Sequence, residues 1–131
     1  MVEFLAGLVL KLAGLNVTRK QEVAGYLEYI ANLTAKFEPA VRNKSGGSVL
    51  HGYTTETQRI AKQFSSATSD VLNKKDLAEF QKLLDTAVNV KRYLETSPGA
   101  DIEARLTELA EVTAAFRASA ATLKGKASRI G

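Results

Sequence analysis

Cysteine is absent from this 131-residue chain, histidine occurs once (His51), and tryptophan not at all. The first absence excludes disulfides, thiol nucleophiles and thiolate metal sites. The second excludes any site that needs two imidazoles. Proline is nearly absent too, with two residues, while Ala and Leu abound, which is the composition of a helical protein. No stretch alternates with period two over a useful length, so no sheet is expected. What is present fits one globular domain: 45% hydrophobic and 24% charged residues, with Lys plus Arg at 18 against Asp plus Glu at 14. That mild basic excess permits anionic partners without requiring them.

Helix punctuation divides the chain. Thr18 followed by Gln21 reads as a capping box, which predicts a helix from Arg19. Val23, Leu27, Ile30, Phe37 and Val41 form its stripe, with Pro39 kinking or ending it near Glu38. Asn43 to Ser48 is the clearest loop. Leu50, Tyr53, Thr57, Ile60, Phe64, Ala67 and Val71 then predict a helix over 49–72, with Thr54 as an alternative start because Gly52 is a poor interior residue. Asn73 caps the next helix, with Asp76 complementing its dipole. Leu77, Phe80, Leu84, Ala87, Val90 and Leu94 form its stripe, and Ser97-Pro98-Gly99 ends it. Asp101 caps the last helix, whose stripe runs Ile102, Leu106, Leu109, Thr113, Phe116, Ala120 and Leu123. Four amphipathic helices of about 20–25 residues with short turns predict an antiparallel four-helix bundle over 19–126. The whole of 1–131 is then one all-α domain with an additional short apolar helix at its N-terminus.

That N-terminal segment, 1–15, differs from the rest. Between Phe4 and Leu15 the only charge is Lys11, and Leu-Ala-Gly-Leu occurs twice, seven residues apart. On a helix Leu5, Leu8, Val9, Leu12 and Leu15 gather on one side. Glu3, Gly7, Lys11 and Gly14 form a thin strip opposite. Some 14 residues rise roughly 21 Å, too short for a hydrocarbon core of roughly 30 Å. Glu3 and the lack of an obvious cleavage site argue against a secretory signal. Two interior glycines weaken the helix by about 1 kcal/mol each, so packing must hold it. The bland reading is a fifth packing helix. The sharper one is a helix that leaves the bundle and enters a membrane.

Other candidates carry less. Glu108 and Glu111 are three apart, as in some bundle metal sites, but the Glu-x-x-His partners are missing. His51 lacks an identifiable nucleophile and orienter, so no catalytic residues, metal or cofactor are assigned and an enzyme is not expected. Ser65-Ser66 and Thr54-Thr55 read as helix surface or cap. Asn32-Leu33-Thr34 matches a glycosylation pattern by chance. Arg19 and Lys20, with Lys124, Lys126 and Arg129, flank apolar ends as headgroup-binding cations do. Charge is interspersed and no basic helix carries interleaved aromatics, so no nucleic-acid partner is expected.

Phe4-Leu-Ala-Gly-Leu-Val-Leu-Lys-Leu-Ala-Gly-Leu15 leading into a small helical bundle resembles a group of cell-death effectors. They are the fungal HeLo and HELL domains, the four-helix domain of the mixed-lineage kinase-like necroptosis executioner, and the bacterial Bell domains. The segment Val23 to Phe37, Val-Ala-Gly-Tyr-Leu-Glu-Tyr-Ile-Ala-Asn-Leu-Thr-Ala-Lys-Phe, is similar to bacterial modules of that sort, as is His51-Gly52. The resemblance spans the chain in architecture and few residues in motif. It implies a membrane-disrupting effector of bacterial regulated cell death, cytoplasmic at rest and moving to the inner face of the cell membrane. By that resemblance Phe4, Leu5, Leu8, Val9, Leu12 and Leu15 insert, and Gly7 and Gly14 allow close contact during self-association. Arg19 and Lys20 meet anionic lipid headgroups, and an upstream sensor protein delivers the trigger. The chain departs from the pattern after Lys124, where Gly-Lys-Ala-Ser-Arg-Ile-Gly carries no apolar, Asn/Gln-bearing strand motif. The competing expectation is a non-enzymatic adaptor that binds another protein through a bundle face or the N-terminal helix.

Overall fold

The computed structural model describes residues 3–43, 46–90, 93 and 100–130. Its elements are α1 (Glu3–Leu12), α2 (Val17–Ala35), α3 (Phe37–Arg42), α4 (Gly47–Thr68), α5 (Lys74–Ala87) and α6 (Ala100–Ile130), and no strand occurs among the described residues. The protein is all-helical.

Local chemistry sets the boundaries, and several differ from expectation. α2 starts two residues early because Asn16, not Thr18, is its cap: the Asn16 side chain accepts from the Arg19 N–H at 2.9 Å. Asn is the stronger cap former of the two, and it directly follows the turn at Gly14-Leu15. α2 ends at Ala35 because Pro39 has no N–H to offer the Ala35 carbonyl and its ring crowds that turn. The chain therefore restarts at Phe37 as α3, where Pro39 occupies the first turn and its missing donor costs nothing. α4 begins at Gly47, accommodates Gly52 in its interior, and stops at Thr68 rather than Leu72. The Thr68 carbonyl then accepts from Val71 and Leu72 in a tight turn.

Asn73 caps α5 as expected, and the box is reciprocal. Its side chain accepts from the Asp76 N–H at 2.8 Å, while the Asp76 carboxylate accepts from the Asn73 N–H at 3.2 Å. α5 is shorter than the stripe predicts, ending at Ala87, where the Val88 N–H bonds to the Leu84 carbonyl. Thr54 of α4 donates to the Val88 carbonyl at 3.0 Å, fixing the end of α5 against α4. Val90 and Tyr93 are buried beyond it, whereas Leu94 and Ser97-Pro98-Gly99 lie outside the described residues. Asp101 lies inside the first turn of α6 rather than at its cap, and α6 runs 31 residues, about 46 Å.

Side-chain pairs fix the directions of the helices. Glu28 pairs with Lys124, Asn32 with Arg117, Thr34 with Thr113, and Arg42 with Glu103. As one partner's number rises the other's falls, so α2 and α3 run antiparallel to α6. Arg19 with Asp70 and Tyr29 with Glu56 set α2 antiparallel to α4 in the same way. Gln58 with Asp85 and Thr54 with Val88 border the packing of α4 on α5.

The core sits where the faces meet. Phe80 of α5 stacks on Phe64 of α4 at 4.3 Å between ring centroids and meets Phe116 of α6 edge-on at 5.8 Å. A second aromatic group, Phe37 with Tyr53 and Tyr93, closes the other end. Such pairs add about 0.5–1.5 kcal/mol each beyond their buried area. The Thr34 and Thr113 hydroxyls meet at 2.7 Å inside the α2–α6 contact, and Thr34 also donates to the Ala31 carbonyl. This satisfied polar pair makes any sliding of α2 along α6 costly.

Candidate functional site

α1 is ten residues long, about 15 Å, and a helix that short is marginal in water. Docking supplies what propensity does not. α1 lies chiefly on α6, with its other flank against α5. Leu5, Leu8, Val9 and Leu12 are buried, as is Leu15 in the turn beyond. Phe4 is partly buried and lines a groove with Leu83, Glu79, Lys82 and Thr86 of α5. At about 1.5–3 kcal/mol per buried side chain, the five fully buried residues contribute at most roughly 8–15 kcal/mol of apolar stabilisation. The N-terminal helix is docked.

The outward face mixes charge with apolar surface: Glu3 and Lys11 are exposed on it, and so are Ala6, Gly7 and Leu10. Leu10 is 73% exposed, the most exposed large hydrophobic among the described residues, and Ala6 and Gly7 lie in solvent beside it. A Cβ placed on Gly7 would meet nothing within 4 Å. Helical periodicity picks out the arc from Phe4 to Leu15 but passes over Leu10. The signal was the run Leu8-Val9-Leu10, which leaves an apolar residue facing out whichever side docks. α1 ends at Leu12 through tightened bonds from Gly14 to Lys11 and from Leu15 to Leu12. Gly14 therefore lies in the following turn and shares no helical strip with Gly7.

Polar contacts gather at the C-terminal end of α1. Lys11 donates to Asp76 of α5 at 2.6 Å, with the lysine half exposed and the carboxylate largely covered. This hydrogen bond, more than any other influence, holds the Asp76 carboxyl below its ordinary pKa. Asp76 thus serves both the α5 capping box and the cation of α1. The sequence offered Asp76 as a complement to the α5 dipole; its contact with Lys11, 65 residues away, was not readable.

Arg19 and Lys20 occupy different surroundings. The Arg19 guanidinium engages both oxygens of Asp70, at 2.8 and 2.7 Å, and donates to the Ala67 carbonyl at 2.8 Å. The bond to Asp70 raises the arginine's pKa and lowers the aspartate's. Lys20 is only 1% exposed, and its Nζ lies 3.4 Å from the Ala13 carbonyl, at the negative end of the α1 dipole. In this docked arrangement neither cation is free for a headgroup.

The remaining candidates stay apart. Glu108 and Glu111 are exposed on α6, and His51 is exposed near the start of α4. No group of three or more His, Cys, Asp or Glu residues able to hold a metal occurs among the described residues. None of the described helices is long and apolar enough to cross a membrane. No protein-family model matches the chain, and neither does a curated protein or a solved structure.

Proposed function

We propose that this protein is a membrane-disrupting effector of bacterial regulated cell death, acting through α1. In this reading α2, α4, α5 and α6 form an antiparallel four-helix bundle, and α1 is the additional helix that leaves it. The protein rests in the cytoplasm and moves to the inner face of the cell membrane when an upstream sensor triggers it. Phe4, Leu5, Leu8, Val9, Leu12 and Leu15 then enter the lipid. Gly7 offers the close-contact face for self-association, while the turn at Gly14 opens and Arg19 and Lys20 become available to anionic headgroups.

The observation that carries this reading is the excess apolarity of α1. Docking uses one face, yet the opposite face presents Leu10 at 73% exposure. A helix whose only charges are Glu3 and Lys11, with a leucine exposed on its outward side, suits lipid better than a half-exposed surface position. Transfer to lipid would leave the buried side chains in an apolar medium and add Leu10 to them.

Leu10 also provides the test, since replacing it should leave docking intact. With vesicles of phosphatidylcholine and phosphatidylglycerol in equal parts, the wild-type chain should release trapped dye. Leu10→Glu should reduce that release at least tenfold while keeping its helical circular dichroism, consistent with the cost of several kcal/mol for burying an unpaired carboxylate. Undiminished release by a well-folded Leu10→Glu chain would count against α1 as the inserting element.

One observation favours a second reading, a helical adaptor. The open groove between α1 and α6 is largely apolar, lined by Leu5, Ala6, Val9, Leu10, Ala115 and Ala118 with Ser119 and Thr122 at one side. Such a groove suits an amphipathic partner helix. Vesicle flotation separates the two readings, since an adaptor should stay with the unbound fraction.

A further inference from the structure

Lys11 and Asp76 join the helix most easily separated from the body to the first turn of α5. The neighbouring ion pair of Arg19 with Asp70 joins α2 to the turn that follows α4 and does not restrain α1. Lys11 stands at the C-terminal end of α1, where a cation also complements the helix dipole. Asp76 is held in place by its own capping box, so the acceptor is rigid before Lys11 arrives. The charged groups acting on Asp76 are Lys11 from α1 and Lys75 from its own helix.

We propose that the Lys11–Asp76 pair is a latch on α1, which an anionic surface opens by competing for Lys11. The proposal rests on the membrane reading above and adds its regulation. The physical basis is a comparison of the two end states. Leu5, Leu8, Val9 and Leu12 are buried whether α1 lies on α6 or in lipid, so their contribution largely cancels between them. Polar partners then weigh in the balance. Lys11 exchanges a single carboxylate for the negative potential of an anionic surface, whereas a zwitterionic surface, whose phosphates are balanced by choline, offers far less attraction. The latch therefore favours release at anionic membranes over neutral ones. It also ties release to ionic strength, because a half-exposed pair is screened by salt.

The test is a double-mutant cycle on the full chain with Lys11→Gln, Asp76→Asn and both together, read by amide hydrogen exchange across residues 5–12. One oxygen of Asp76 accepts from both Lys11 and the Asn73 N–H, so Asp76→Asn keeps that acceptor and removes the charge of the pair, while Lys11→Gln leaves the capping box untouched; neither change should unfold α5. Each single variant should speed exchange in α1 about 2–5-fold, and the double should be no faster than either, as an exposed pair of ordinary strength requires. With equal-part phosphatidylcholine and phosphatidylglycerol vesicles, Asp76→Asn should leak dye faster than wild type. Lys11→Gln should open α1 in solution without that gain, because it has lost the headgroup contact. Additive single effects, or no effect on exchange, would overturn the latch. A coupled exchange cycle with no leakage from any chain would retain the latch as a tether and overturn the membrane reading instead.

Discussion

Lys20 is a cation placed where an apolar residue would ordinarily sit, 1% exposed beneath the turn that follows α1. Its four-carbon stem fills core space, and its ammonium finds the carbonyl of Ala13. Removing stem and charge together should therefore differ from removing the charge alone. Lys20→Ala should lower unfolding stability by about 1–3 kcal/mol through the cavity it leaves, and Lys20→Met by distinctly less. Denaturant titration measures both, and an alanine variant as stable as wild type would contradict the buried position. From the sequence this lysine read as a headgroup-binding cation beside Arg19, because charge is a prior for exposure and periodicity does not reveal a chain crossing over it. The partner of Lys11 was hidden for a related reason. Asp76 already had a local task as a complement to the α5 dipole, and nothing local records a contact across 65 positions.

The legibility of each helix tracks how local its determinants are. The α5 cap was readable because Asn73 and Asp76 satisfy each other within one turn. The core stripe of α6 was readable because Leu106, Leu109, Thr113, Phe116, Ala120 and Leu123 keep a strict three–four spacing, and all six are buried. The start of α2 was not, since Asn16 and Thr18 compete as caps. The end of α5 depends on a hydroxyl from α4, a tertiary contact that overrides a continuing stripe. For α1 the apolar arc was visible, but an almost wholly apolar helix does not disclose which side docks. Its stability follows from composition all the same. Gly7 is exposed, mid-helix and without neighbours at the Cβ position, so only the backbone entropy of glycine is at stake. Gly7→Ala should stabilise docked α1 by about 0.5–1 kcal/mol and slow exchange in 5–12 correspondingly. Faster exchange would mean that the Gly7 face is covered in solution.

At the scale of the molecule, a body of packed helices carries a short helix that buries one apolar face and exposes Leu10 on the other. The body is held by the Phe64–Phe80–Phe116 cluster and by the buried threonine pair between α2 and α6. Neither involves α1. Loss of α1 would uncover its docking face on α6 but leave these contacts in place, which is the division of labour a release mechanism needs. The absence of tryptophan from the chain gives the proposed release a direct test. A Leu10→Trp variant carries a single indole on the exposed face of docked α1. Its emission should be that of a solvated indole in buffer and with pure phosphatidylcholine vesicles. On equal-part phosphatidylcholine and phosphatidylglycerol vesicles it should shift to the blue and become quenchable by brominated acyl chains. Emission that stays solvated at saturating anionic vesicles, from a chain that remains folded, would contradict the entry of α1 into the membrane.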